Sequence, residues 1–198
     1  MADDESRAQA GDEAILPDAS GVCAPKLRRL INLWLAAREA GAAIPRKARV
    51  DPIDMARAGL LPQIWLVERQ PDRRLVYRLA GEEINAVFGR SIAGATLEDL
   101  MSQPQAEIVV ARWNRVLDEA LVMHAVGEVY SDAGNLYSGE RIVLPLADDD
   151  GAPHFLIGAT DYRLLGSGDK TARPTRADLR GVRRSFIPLD RIATLPVD

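Results

Sequence analysis

The stretch that most constrains this chain is YRLAGEEINAVFGRSIAGATLEDL, Tyr77 to Leu100. Leu75, Tyr77 and Leu79 alternate with Val76, Arg78 and Ala80, the period-two signature of a half-buried strand. Gly81 breaks the alternation, and Glu82 to Val87 reads as one short helical piece. Gly89 ends that piece and Gly94 ends the next turn. Thr96-Leu97-Glu98-Asp99 then opens a further helix, with Thr96 as cap and Asp99 near the exposed amides. Short helices in quick succession cannot each enclose a core. They need a common floor, and the sheet begun at Leu75 supplies it.

The segments on either side extend this plan. Residues 1–22 are rich in Ala, Asp and Gly without a sustained period and read as a disordered arm. Pro25 opens a helix, within a flanking segment 23–43 that Gly41 closes. Leu27, Leu30, Ile31, Trp34 and Leu35 form one apolar stripe on it. Such a stripe packs either on its own domain or on a second copy. Arg46, Lys47 and Arg49 precede Asp51 and Asp54, so ion pairing and helix capping compete with an anion site. Arg78 is expected to join Asp51 or Asp54.

Leu61 to Glu68 and Arg74 to Ala80 read as two strands around a Pro71-Asp72 turn. After the short helices, Ser102 caps the longest helix, with Gln105 in the capping-box place and Val109, Trp113, Val116, Leu117 and Ala120 on its apolar side. His124 to Ser131, Leu136 to Ala147 and Pro153 to Arg163 follow as three strands, split by turns at 132–135 and 148–151. The expected fold class is α+β: a five-stranded antiparallel sheet with short helices and one long helix on one face, plus the N-terminal flanking helix. The domain spans 44–163. Residues 164–198 form a linker and tail, in which RRSFIPLDRIATLPV folds over the domain or onto a partner.

Composition and chemistry narrow the function. The chain has 198 residues, 47% of them hydrophobic and 27% charged, as expected of a globular domain with appendages. A net charge of -4 argues against a nucleic-acid footprint over the whole chain. The acidic start is no signal peptide, and no apolar run reaches the ~18 residues of a membrane helix, so a cytoplasmic protein is expected. The single cysteine, Cys23, leaves no internal disulfide framework. The two histidines, His124 and His154, belong to no metal-spaced pair and read as structural or solvent-facing. No phosphate loop, calcium loop or nucleophile with a base stands out, so catalytic and metal residues are not expected.

Strand, then RLAGEEINAVFGRSIAG, then a capped turn resembles the middle of a PAS domain. More narrowly, the chain resembles a bacterial single-domain PAS family of alphaproteobacterial type over roughly residues 30–162. The resemblance rests on Pro45-Arg46, Asp51-Pro52-Ile53-Asp54, Leu61-Pro62, Tyr77-Arg78-Leu79, Gly81, Phe88-Gly89-Arg90 and Gly94. Glu140-Arg141 and Leu144-Pro145-Leu146 complete the series.

The resemblance implies a small-molecule pocket between sheet and short helices. Trp65, Tyr77, Leu79, Phe88 and Ile92 are its candidate lining, with Leu97, Trp113 and Leu144 beyond them. Tyr77 and Arg141 are the candidate polar contacts. A core filled by these same side chains is the competing expectation. Flavin photosensors of this fold carry a cysteine after the short helices, and Phe88 to Ile92 has none. Haem-binding members place a histidine on the long helix, and Ser102 to Leu121 has none. Neither cofactor is expected. The resemblance also implies a flanking dimer helix, which makes the stripe from Leu27 to Leu35 the candidate homodimer interface. Two functions are therefore expected: a non-enzymatic sensory or regulatory module acting by contact with a signalling protein, or a binder of an apolar or aromatic metabolite.

Overall fold

The computed structural model describes residues 13–16, 18–132, 135–167 and 182–197. A single mixed sheet runs through them. Its strands in chain order are β1 (Glu13–Ile15), β2 (Ile64–Arg69), β3 (Leu75–Ala80), β4 (Leu121–Asp132), β5 (Asn135–Ala147), β6 (Pro153–Ser167) and β7 (Arg183–Pro188). They lie side by side as β1-β7-β4-β5-β6-β2-β3. The run β4-β5-β6-β2-β3 is the expected five-stranded antiparallel sheet. It gains two strands at one edge: β7 pairs antiparallel with β4, and β1 pairs parallel with β7. Residues 13–15 are thus a strand rather than part of a structureless arm, and Ala19 and Val22 behind it are buried. Residues 1–12, most of the linker (168–181) and the tip of the 132–135 turn lie outside the described residues.

Among the described residues, four α-helices pack on this sheet. They are α1 (Pro25–Ala36), α2 (Pro52–Arg57), α3 (Glu82–Val87) and α4 (Gln103–Asp118). Pro at the first helical position starts α1 and α2, where its missing N–H costs nothing. Asp51 caps α2 by accepting from the Ile53 amide at 2.7 Å. Thr96 to Asp99 does not become a helix. Asp99 Oδ2 accepts from both the Thr96 amide and hydroxyl, closing a turn on itself. That segment instead guards the sheet edge, since Gly94 donates to the Tyr77 carbonyl and Tyr77 donates to that of Ala95.

The layers are helix, sheet, helix. On one face α3, the turns after it and α4 bury Ile84, Ile92, Leu97, Trp113 and Val116 against Trp65, Tyr77 and Val143. On the other face α1 and α2 bury Leu30, Trp34 and Met55 against Ile142, Leu144 and Ile157. The C-terminal segment folds over its own domain: Leu189 and Ile192 join this second cluster. Asn32 then clamps the Leu195 backbone through both its carbonyl and its amide group. Glycine is required at Gly81, where a Cβ would stand 2.1 Å from the Leu61 carbonyl oxygen.

Candidate functional site

The space between sheet and helices is built from three aromatic rings. Trp65 comes from β2, Tyr77 from β3 and Trp113 from α4, and all three are buried. Trp65 and Trp113 stack with centroids 4.5 Å apart and planes 7° from parallel. Tyr77 stands edge-on to both, at 6.1 Å from Trp65 and 6.3 Å from Trp113. Trp65 lies across Gly158 of β6, where a Cβ would come within 2.2 Å of the indole. Ile92 and Leu97 are buried in the same cluster, and half-buried Phe88 packs against it. These six residues meet as expected, and what they meet is each other.

One end of this interior is polar. Thr160 of β6 accepts at Oγ1 from Arg141 Nε at 3.1 Å and from Trp65 Nε1 at 3.4 Å. Arg141 also donates to the Val129 carbonyl at 2.7 Å. Gln63 donates to the Glu83 carboxylate at 2.8 Å, and the Tyr162 hydroxyl donates to the Glu83 carbonyl. Gln63 is only 3% exposed, and its side-chain oxygen has no hydrogen-bond partner. Arg141 thus makes these hydrogen bonds to groups of its own chain. This set supplies donors and acceptors, not an acid–base pair beside a nucleophile. Among the described residues no cluster of three or more His, Cys, Asp or Glu is placed to hold a metal.

Three expectations do not hold. Leu79 is 44% exposed near the end of β3 and points away from the interior. Leu144 is buried in the opposite cluster with α1, because Val143 takes the interior position on β5. Arg78 pairs with Glu68 of the neighbouring strand, not with Asp51 or Asp54. The basic residues Arg46 and Arg49 likewise share Glu39. A cleft of about 210 Å³ does exist, but elsewhere: Ile44, Leu117, Ala120, Pro145 and Pro153 line it at one end of the sheet.

The far face changes the reading of the flanking helix. Leu27, Leu30, Ile31 and Trp34 are fully buried within the single chain, and Leu35 is half-buried on the same cluster. Trp34 Nε1 donates to the Pro145 carbonyl at 2.8 Å. The stripe is covered by its own sheet, so no exposed patch is left to call for a second copy.

A buried carboxylate fastens the start of this helix. Glu140 of β5 accepts from the Cys23 amide and the Ala24 amide, both at 2.8 Å, just before α1 begins. Its Oε1 also lies 2.7 Å from His124 Nε2 on β4. Burial pushes the Glu140 pKa up. The His124 hydrogen bond and the two amides outweigh it, and the net shift is downward. The site was missed at the sequence level. Its one signal was a carboxylate inside an apolar strand, which needs partners wherever it is buried. His154 is half-buried against Glu68 at 3.2 Å.

A family model described as a PAS domain matches residues 22–161, and this chain belongs to that family. The match begins before α1 and so includes the helix and its Glu140 fastening. PAS membership makes the chain a sensory or regulatory module in kind. No curated protein matches it. Among the described residues no helix is long and apolar enough to cross a membrane.

Proposed function

We propose that this PAS domain is a non-enzymatic sensory and regulatory module that passes its signal to a partner protein by contact. The observation that carries this reading is the aromatic interior, in which Trp65, Tyr77 and Trp113 occupy the space between sheet and helices. A closely packed interior transmits strain rather than absorbing it. Displacing the stacked tryptophans shifts the sheet, and α1 and α2 ride on its opposite face. The module works without haem or flavin: Phe88 to Ile92 offers no cysteine, and His124 is turned to Glu140. Isolation of the tagged chain from cells that express it natively, with chemical cross-linking, tests the proposal. A stoichiometric partner is expected; a chain that stays solitary in every growth condition overturns it.

One observation favours a second reading, a small-molecule binder. The unpartnered side-chain oxygen of Gln63 is buried beside Glu83, where a ligand donor would satisfy it. Native mass spectrometry of the freshly isolated chain tests this. A bound mass lost in Gln63→Leu supports it, and a bare chain removes it.

A further inference from the structure

The two helical layers carry opposite charge. Residues 24–62, which carry α1 and α2, hold eight Lys or Arg against three Asp or Glu; the other segments packed on this face add Asp18, Asp190 and Arg191. Residues 81–120, which cover the other face, hold three against seven. The whole chain is at -4, so the basic layer stands against the trend of the molecule. Little within the layer neutralises it. Glu39 is shared by Arg46 and Arg49, Asp54 pairs with Arg57, and Asp51 is spent on the α2 cap. Lys26, Arg28, Arg29, Arg38 and Lys47 have no carboxylate partner among the described residues. Arg29 reaches across to the Ala58 carbonyl, which sets α1 and α2 side by side. Ile53, one helical turn before Arg57 on α2, is 59% exposed.

We infer that this basic face, centred on Arg29, Ile53 and Arg57, is the surface through which the module docks on its partner, and that it fits an acidic protein surface with an apolar recess. The inference rests on the contact reading above. Cations beside an exposed aliphatic side chain match an interface of charged rim and apolar anchor. Charge complementarity steers such an encounter and sets its specificity. The chain as a whole carries -4, which disfavours an extended polyanion such as a duplex or a lipid surface against a compact acidic patch.

The test measures binding of the full chain to three probes at low and physiological salt: a short fluorescent peptide of alternating Glu and Leu blocks, phosphatidylserine vesicles, and duplex DNA. The peptide is expected to bind in a salt-sensitive manner. Arg29→Glu with Arg57→Glu should weaken it by about tenfold or more. Ile53→Ser should weaken it with less change in salt dependence, and Glu107→Lys on the opposite layer should leave it unaltered. All of these residues are exposed, and matched thermal melts confirm folding. Failure of the peptide to bind, tighter binding to vesicles or DNA, or full binding by the double variant overturns the inference. Cross-linking of the double variant in native cells separates the two levels. A partner retained by that variant removes this surface and leaves the contact reading standing, whereas a wild-type chain with no partner removes both.

Discussion

Trp113 meets Trp65 face to face in the centre of the domain, and this pair fixes the distance between α4 and the sheet. Replacing Trp113 by alanine leaves a cavity lined by Trp65 and Tyr77. The expected cost is ~3–5 kcal/mol, read by denaturant unfolding. A loss under about 1 kcal/mol, the size typical of surface sites, would contradict the packing described here. Gly158 tests the same contact from below. Its Cβ would stand 2.2 Å from the Trp65 ring and 2.6 Å from the Ile142 carbonyl oxygen, and the backbone atom cannot yield. Gly158→Ala should cost about 1–3 kcal/mol and diminish the near-ultraviolet circular dichroism of the tryptophan stack. An unchanged spectrum would mean that Trp65 does not lie on this strand. Tyr77 and Trp113 were legible as interior residues because strand alternation and helical spacing fixed their side, whereas Ile92 and Leu97, which lie in turns, were expected there on the family resemblance. Leu144 was not: Ile142 to Leu146 is apolar throughout, since both faces of β5 are covered, and such a run gives no phase.

Helix α1 is held by two devices of different kinds, an apolar stripe under Trp34 and a buried carboxylate at its start. The carboxylate makes the attachment depend on pH in a definite direction. The native pKa of Glu140 lies below its ordinary value of 4.5, so its stabilisation is complete above that value and fades as pH falls through the lowered one. Glu140→Gln should cost about 1–3 kcal/mol near neutral pH. The gap between wild type and variant should then narrow in acid, as wild type loses the same charge. A gap constant down to the acid transition would show that the charge of Glu140 does not hold α1. The stripe was legible as a stripe, but not what covers it. Periodicity reports that a face is apolar and is silent on its partner. Strands β1 and β7 escaped for a related reason. Three residues, Glu13 to Ile15, and six from Arg183 become strands only by pairing across a large sequence separation.

At the scale of the whole molecule, the sheet is a plate between an acidic and a basic helical layer, with the aromatic stack on the acidic side. The chain order of two strands, several helices and three strands was legible, because the turns between them are marked by Gly, Pro and Asp; that α2 lies with α1 on the face opposite α3 and α4 was not. It did not display the segregation of charge, which emerges only when the layers are assigned to faces. The arrangement gives the proposed function a route: interior packing on one side, sheet in the middle, docking surface on the other. Placing a photo-crosslinking residue at position 53, and at position 107 on the opposite layer, tests this most directly in cells that express the chain natively. The account predicts a discrete protein adduct at position 53 that disappears with Arg29→Glu and Arg57→Glu. An absence of any adduct at either position, in every growth condition, would contradict the claim that this module acts by contact.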